Sequence, residues 1–194
     1  MTPVVRDELL SLGAYEEIRE HFRARVIALK QNRRISLGNH LTLVFENRDT
    51  VLFQIQEMLR TERITDEHAI AHELATYNEL MPDTGDLSAT LFIEYEDKQE
   101  RARMLSELTA LRHRLALHIG KRAVLARFLT QPGEEEDRIP AVCYIRFALG
   151  LDAATEMSDI TVSAKLRSTV PAYTIETPLP RSLRIELARD LLDR

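Results

Sequence analysis

The N-terminal part of the chain shows helical periodicity, interrupted by one pair of short strands. Apolar side chains recur every three or four positions between residues 15 and 32 and predict an amphipathic helix. The predicted core face of this helix carries Ile18, Phe22, Val26 and Leu29. Residues 35–37 and 41–45 predict a hairpin of two strands joined at Gly38-Asn39. Two further helices are predicted from residues 51 and 66, and the second ends near Leu80.

The C-terminal part of the chain has mainly the two-residue alternation of β-strands. The predicted strands are 87–95, 115–119, 123–129, 142–149 and 160–166. Helices are predicted after Asp97 and Pro180, and residues 131–137 predict an exposed loop. We expect a single α+β domain over residues 1–194, with a mainly helical half (1–84) that includes the hairpin and a sheet-rich half (85–194). Its strands are expected to form an antiparallel sheet of about five to six strands packed by helices.

The composition indicates a chain that folds around its own hydrophobic core. Hydrophobic residues make up 44% and charged residues 29% of the 194 positions, which is ordinary globular usage. The 26 basic and 31 acidic side chains give a formal charge of -5, which argues against nucleic acid as a partner. The sequence has no export signal and no apolar stretch of roughly 20 residues, so we expect a cytoplasmic protein without membrane contact.

The sequence lacks the standard catalytic and cofactor motifs. It has no glycine-rich nucleotide loop, and its one cysteine, Cys143, alternates with apolar strand residues as a small core side chain does, so we predict no bound cofactor. His68 and His72 share one helix face, where they could hold a metal ion with a carboxylate such as Glu57 or Glu62. The same pair is more typical of a solvated helix face, and both interpretations stay open.

One helical surface has the composition of a contact site. A face separate from the core stripe of the second helix carries Phe53, Gln56, Glu57 and Arg60, with Arg48 one turn before it. Aromatic and arginine side chains are typical anchors of interfaces, so this face predicts a partner-binding site. The alternative, weighed about evenly, is a polar network in which Arg48, Gln54 and Glu57 tie the helix to the hairpin.

The same segment carries a family resemblance. Residues Phe45-Glu46-Asn47-Arg48 through Gln54-Ile55-Gln56-Glu57-Met58-Leu59-Arg60 resemble the bacterial family called domain of unknown function 3501. The resemblance extends to residues 22–30, 37–38 and 89–95. It implies no activity for individual residues. It does imply neighbouring genes with redox functions. Members resemble products encoded beside rubrerythrin and an iron-sulfur oxidoreductase of the heterodisulfide-reductase type, which suggests a role in peroxide or redox defence.

Two functional hypotheses follow. We expect a non-catalytic accessory protein whose surface around Phe53 and Arg60 docks a redox partner, with rubrerythrin or the iron-sulfur oxidoreductase as candidates, or a second copy in a homodimer. The alternative is a metal-binding protein or enzyme that uses the helix face of His68 and His72.

Overall fold

The computed structural model describes residues 1–130, 133, 135, 137–150 and 152–192. The helices are α1 (Leu12–Gln31), α2 (Arg48–Thr61), α3 (Glu67–Asn78), α4 (Lys98–Glu107), α5 (Leu111–Arg114), α6 (Asp152–Ser158) and α7 (Arg181–Leu192). The strands are β1 (Arg34–Leu37), β2 (Leu41–Phe45), β3 (Asp86–Ile93), β4 (Leu115–Ile119), β5 (Arg122–Leu125), β6 (Arg127–Leu129), β7 (Val142–Ala148), β8 (Ala164–Val170) and β9 (Tyr173–Pro178). Within the described ranges, no helix is long and apolar enough to cross a membrane.

The strands form two antiparallel sheets that meet at two corners. The five-stranded sheet has the order β1-β2-β3-β7-β6, and the four-stranded sheet has the order β5-β4-β8-β9. At one corner, β5 continues through the buried Ala126 into β6, so one stretch of chain serves both sheets. At the other corner, the Tyr173 hydroxyl on β9 donates to the Leu37 carbonyl on β1 at 2.9 Å.

The main hydrophobic core fills the space between the two sheets. Alternate side chains of each strand point into it, such as Leu41 and Leu43 on β2 and Leu115 and Leu117 on β4. Helices α4, α6 and α7 contribute further buried side chains. Since buried apolar surface stabilises a fold by roughly 25 cal/mol per Å², this layer is the main source of stability.

A second hydrophobic cluster covers the other face of the five-stranded sheet. It is built by α2, α3 and the N-terminal segment, with Ile55 and Leu74 among its buried members, and Tyr144 of β7 packs against it. Helix α1 packs against α2 and forms the outermost layer, in which Tyr15 and Val26 are buried. The five-stranded sheet is therefore covered on both faces.

Two buried arginines fix helices to the rest of the fold. Arg33, just after α1, donates from Nε to the Phe45 carbonyl at 2.9 Å and pairs with Asp190 of α7. Arg184 of α7 donates to the carbonyls of Met157, Val162, Glu156 and Asp159 at 2.6 to 3.0 Å. Carbonyl groups at a helix end lack partners within the helix, so Arg184 satisfies the end of α6 and the turn that follows it.

The predicted α+β class is confirmed, with the strands divided between two sheets rather than gathered in one. The hairpin is confirmed as well, and its strands pair from Arg34↔Val44 to Leu37↔Leu41. Gly38 opens the hairpin loop with φ +71°, and a side chain there would meet the Tyr173 hydroxyl at 2.5 Å. Strand β2 of the predicted helical half pairs with β3 of the sheet-rich half, so both halves build one sheet.

Several local predictions differ from the structure. The strand predicted at 160–166 lies at Ala164–Val170, and Ile160 is exposed. The strand predicted at 123–129 bends at Ala126, and β9 was not predicted. Ile18, predicted on the core face of α1, is 45% exposed because α1 lies outermost. Residues 131, 132, 134 and 136 of the predicted loop lie outside the described residues.

Candidate functional site

Polar side chains occupy the helix-covered face of the five-stranded sheet. The two-residue alternation that sends Leu91 and Ile145 into the main core sends Thr90 and Tyr144 to this opposite face. Thr90 and Tyr144 are directly paired across β3 and β7. Because α2 and α3 cover this face, its polar groups depend on one another for hydrogen bonds.

Glu46 is the acidic residue within this covered layer. It follows β2, is 3% exposed, and its backbone N–H donates to the Ser88 carbonyl at 2.9 Å. The Thr90 hydroxyl donates to Glu46 Oε1 at 2.6 Å. Glu46 Oε2 is buried and has no hydrogen-bond partner among the described residues. A buried acceptor without a donor lowers the free energy of unfolding, so stability does not explain the position of this oxygen.

The local chain fixes Glu46 in this position. Asn47 caps α2, since its Oδ1 accepts from the Thr50 N–H at 3.0 Å while the Thr50 hydroxyl accepts from the Asn47 N–H at 2.9 Å. The N-cap of α2 is thus Asn47. Arg33 donates to the Glu46 carbonyl at 3.2 Å, and its charge is directed to Asp190. The turn between β2 and α2 is therefore held from both sides.

Two tyrosines flank Gln54 of α2 beside Glu46. Gln54 Nε2 donates to the Tyr144 hydroxyl at 3.4 Å, and the same side chain interacts with the Tyr77 hydroxyl of α3. Burial raises the pKa of Tyr77 to about 12. Burial also raises the pKa of Tyr144; the Gln54 contact opposes this, and the charge of Glu46 adds to it. Both hydroxyls therefore stay protonated near neutral pH.

We call the group formed by Glu46, Gln54, Tyr77, Thr90 and Tyr144 the polar seam. It runs from the middle of the five-stranded sheet, under α2, toward the β6 edge. At that edge it opens into a cleft of about 220 Å³, the tyrosine cleft. The tyrosine cleft is lined by Thr76, Tyr77, Glu79, Leu80, Leu129, Thr130 and Tyr144.

Arg146 fixes the rim of the tyrosine cleft. Its guanidinium donates to the Glu79 and Met81 carbonyls at 2.6 and 2.8 Å and to Asp83 at 2.6 Å. These bonds hold the segment after α3 against β7. Arg146 Nε is also buried without a partner among the described residues. Two polar atoms of the covered face thus have no hydrogen-bond partner in the described part of the chain.

Two other depressions flank His40, whose ring stacks on Tyr95 at 4.0 Å between centroids. The larger has a volume of about 750 Å³ and four exposed carboxylates in its lining, Glu94, Glu96, Asp97 and Glu100. Exposed carboxylates are solvated and need no ligand. The tyrosine cleft differs because it adjoins buried polar groups, which makes it the better candidate site.

The residues predicted to bind a partner face α1 and the N-terminal segment. The ring of Phe53 packs edge-on against that of Phe22, with 5.6 Å between their centroids. The Glu57 carboxylate accepts hydrogen bonds from Tyr15 at 2.7 Å and from Arg19 at 2.8 Å. Arg60 forms an ion pair with Glu16 at 2.7 Å. Gln56 is buried and bonds to both backbone groups of Leu10, while Arg48 bonds to the Thr2 carbonyl and Glu8. The surface is thus occupied within the chain, as in the polar-network interpretation, although the network reaches α1 rather than the hairpin. Binding of an external partner there stays a prediction.

The structure does not bring the predicted metal ligands together. His68 and His72 are exposed on the outer face of α3, and Glu62 is exposed at the end of α2. Glu57 is engaged by Arg19 and Tyr15. In the part of the chain that the structure describes, no group of three or more His, Cys, Asp or Glu side chains is placed to hold a metal ion.

The sequence-based prediction missed most of the polar seam. The sequence indicates Gln54 only as part of the alternative polar network and Glu46 only as part of the family resemblance. The available signal was the alternation of Thr90 and Tyr144 with apolar neighbours, but that pattern also describes a strand with one solvated face. Their burial follows from the covering helices, which strand periodicity does not reveal.

Comparisons with other proteins place the chain without assigning it an activity. A family model described as protein of unknown function (DUF3501) matches residues 3–191. The chain is also similar to a novel protein of unknown function from Burkholderia pseudomallei K96243, with a TM-score of 0.89 and 35% identity over 98% of this chain and 100% of that one. No curated protein matches the chain.

Proposed function

Since the chain belongs to the DUF3501 family of proteins of unknown function, we propose a function from its geometry: it binds a small molecule in the tyrosine cleft. The observation that carries this proposal is the contact between Gln54 and Tyr144, which joins the wall of an open cleft to a buried and incompletely satisfied polar seam. Ligand sites commonly combine apolar walls with a few convergent polar groups, and the tyrosine cleft has that composition.

The size of the tyrosine cleft limits the ligand. A volume of about 220 Å³ is below the range of roughly 300 to 1,000 Å³ for drug-sized ligands and suits a molecule built around one ring. Leu80 and Leu129 offer apolar contacts for that ring, and Tyr77 and Tyr144 offer hydroxyl groups. The expected ligand is therefore a small, mainly apolar molecule with one hydrogen-bonding group.

A titration with benzyl alcohol tests this proposal, because the probe has one ring and one hydroxyl. We expect the backbone amide NMR signals of Thr76–Leu80, Leu129, Thr130 and Tyr144 to shift together on addition of the probe. Tyr144→Phe should weaken binding about two- to tenfold, as expected for the loss of one hydrogen bond. Tyr95→Phe is the matched control, because Tyr95 stacks on His40 outside the tyrosine cleft.

Two results would contradict the proposal. One is a pattern of shifts that avoids the tyrosine cleft and its neighbours. The other is equal binding by the wild-type protein, Tyr144→Phe and Tyr95→Phe, which would show that the Tyr144 hydroxyl plays no part in recognition.

A further inference from the structure

We infer that the tyrosine cleft selects small primary amines, and that the buried carboxylate of Glu46 acts through Tyr144 to set this preference. The inference rests on the proposed function and names the ligand class of the same site. The ligand is an apolar body of about one ring that carries a protonated amino group. Glu46 is a specificity-determining residue that need not touch the ligand.

Glu46 has no positive partner among the residues that the structure describes. Arg33, whose guanidinium reaches the Glu46 carbonyl, is paired with Asp190 and Glu186. Arg146 is directed to Asp83 and to backbone carbonyls. No described cation lies within ion-pair distance of the Glu46 carboxylate. A buried carboxylate without a counter-charge favours a donor or cation nearby.

Tyr144 links Glu46 to the tyrosine cleft, because it interacts with the Glu46 charge and lines the cleft. Thr90 holds Glu46 Oε1 at 2.6 Å and is paired with Tyr144 on the next strand. The Glu46 charge is close enough to raise the pKa of Tyr144, so the two groups interact. A negative charge behind the hydroxyl attracts its proton inward, which leaves an oxygen lone pair toward the cleft. The cleft therefore presents an acceptor, and a donor group on the ligand fits it.

The lining of the tyrosine cleft also favours a positive ligand. Among the lining residues that the structure describes, none is Lys, Arg or His, and the exposed Glu79 adds a negative charge at the rim. The lining also includes Tyr77 and Tyr144, and aromatic rings attract cations. The charge of Arg146 beside the rim is paired with Asp83, so Glu79, the rings and the buried carboxylate together favour a positive group. An ammonium group with an apolar body matches these features, whereas a carboxylate would be repelled.

The inference is tested with benzylamine, benzyl alcohol and benzoate, titrated into the full chain at pH 7 and followed by backbone amide NMR shifts. We expect benzylamine to bind at least about fivefold more tightly than benzyl alcohol, and benzoate to bind most weakly. Glu46→Gln should remove the preference for the amine while benzyl alcohol still binds. Glu79→Gln is the comparison variant: it removes the exposed carboxylate from the rim of the same cleft, where water weakens its effect, and should lower the preference less than Glu46→Gln does.

The possible results separate the inference from the proposed function. If benzyl alcohol binds and benzylamine binds no more tightly, the inference is overturned and the proposed function stands. If no probe shifts the cleft signals, both are overturned. If Glu79→Gln abolishes the preference while Glu46→Gln keeps it, the rim sets the specificity and the role of Glu46 is overturned.

A salt titration of the wild-type protein gives a second test that does not depend on a variant folding. Buried charges are screened less than exposed ones, so a preference set by Glu46 should persist at about 1 M salt, where the Debye length is about 3 Å. If the preference disappears at high salt, the exposed Glu79 sets it, and the role of Glu46 is overturned.

Discussion

The two faces of the five-stranded sheet are both buried, yet they differ in chemistry. One face sends Leu43, Leu91 and Ile145 into the main core, which is built mainly from apolar side chains. The other carries Thr90 and Tyr144 under α2 and α3, next to Glu46. Apolar side chains are stabilised by burial itself, whereas buried polar groups need partners. On the covered polar face, a buried polar atom without a hydrogen-bond partner therefore indicates a candidate site.

Stability alone does not explain the polar face. An unpaired buried polar group costs about 1 to 3 kcal/mol. Among the residues that the structure describes, two atoms of this face are of that kind, Glu46 Oε2 and Arg146 Nε. An apolar layer in the same place would avoid that cost. Natural proteins tend to depart from such local rules at functional sites, which is why we propose that this face binds a ligand.

The largest effect is expected on the apolar face. Leu91 is fully buried in the main core, so Leu91→Ala should lower the free energy of unfolding by about 2 to 5 kcal/mol through lost burial and a cavity. Urea denaturation measures this change. Where the variant still folds, its affinity for benzyl alcohol should match that of the wild type. A loss below about 1 kcal/mol would contradict the assignment of this face as the main source of stability.

An intermediate effect is expected from Thr90→Val, one residue away on the opposite face. Valine keeps the shape but removes the hydroxyl that donates to Glu46, leaving the carboxylate without a described donor and costing about 1 to 3 kcal/mol. Thr42→Val is the matched control, because Thr42 donates to the half-exposed Glu94, where water can replace it. Equal losses of unfolding free energy for the two variants would show that burial of Glu46 has no energetic consequence.

The smallest effect is expected in the outer layer, where Glu57 joins α2 to α1. The hydrogen bond from Arg19 holds the pKa of Glu57 below its ordinary value of 4.5, against the opposing effect of burial. A lowered folded-state pKa stabilises the fold above the unfolded pKa, and this contribution is lost as the pH falls through the folded value. Glu57→Gln should therefore cost up to about 1 kcal/mol at pH 7 and less at pH 3. Urea denaturation of the variant and the wild type at both pH values measures this change. A larger loss of unfolding free energy at pH 3 than at pH 7 would contradict the prediction.

The predicted contact surface shows how far residue types can be interpreted. Phe53 and Arg60 are residue types that are typical of interfaces, and in the structure both lie in the contact between α2 and α1. The partner seen is α1 of the same chain. Composition reports that a surface is suited to contact, but the same side chains serve contacts within a chain and between chains. The metal hypothesis had weaker support, since two histidines on one helix need further ligands from elsewhere in the fold.

The sequence by itself determined the local elements: the hairpin at Gly38, the amphipathic helices and most strands follow from periodicity and turn residues within short windows. Only the tertiary structure decided which alternating polar positions are buried. Gln54 and Tyr144 meet across 90 positions of sequence, and the alternation around Tyr144 is the same whether water or α2 covers that face. The unsatisfied oxygen of Glu46 is thus a property of the packing, because it depends on which distant groups surround it.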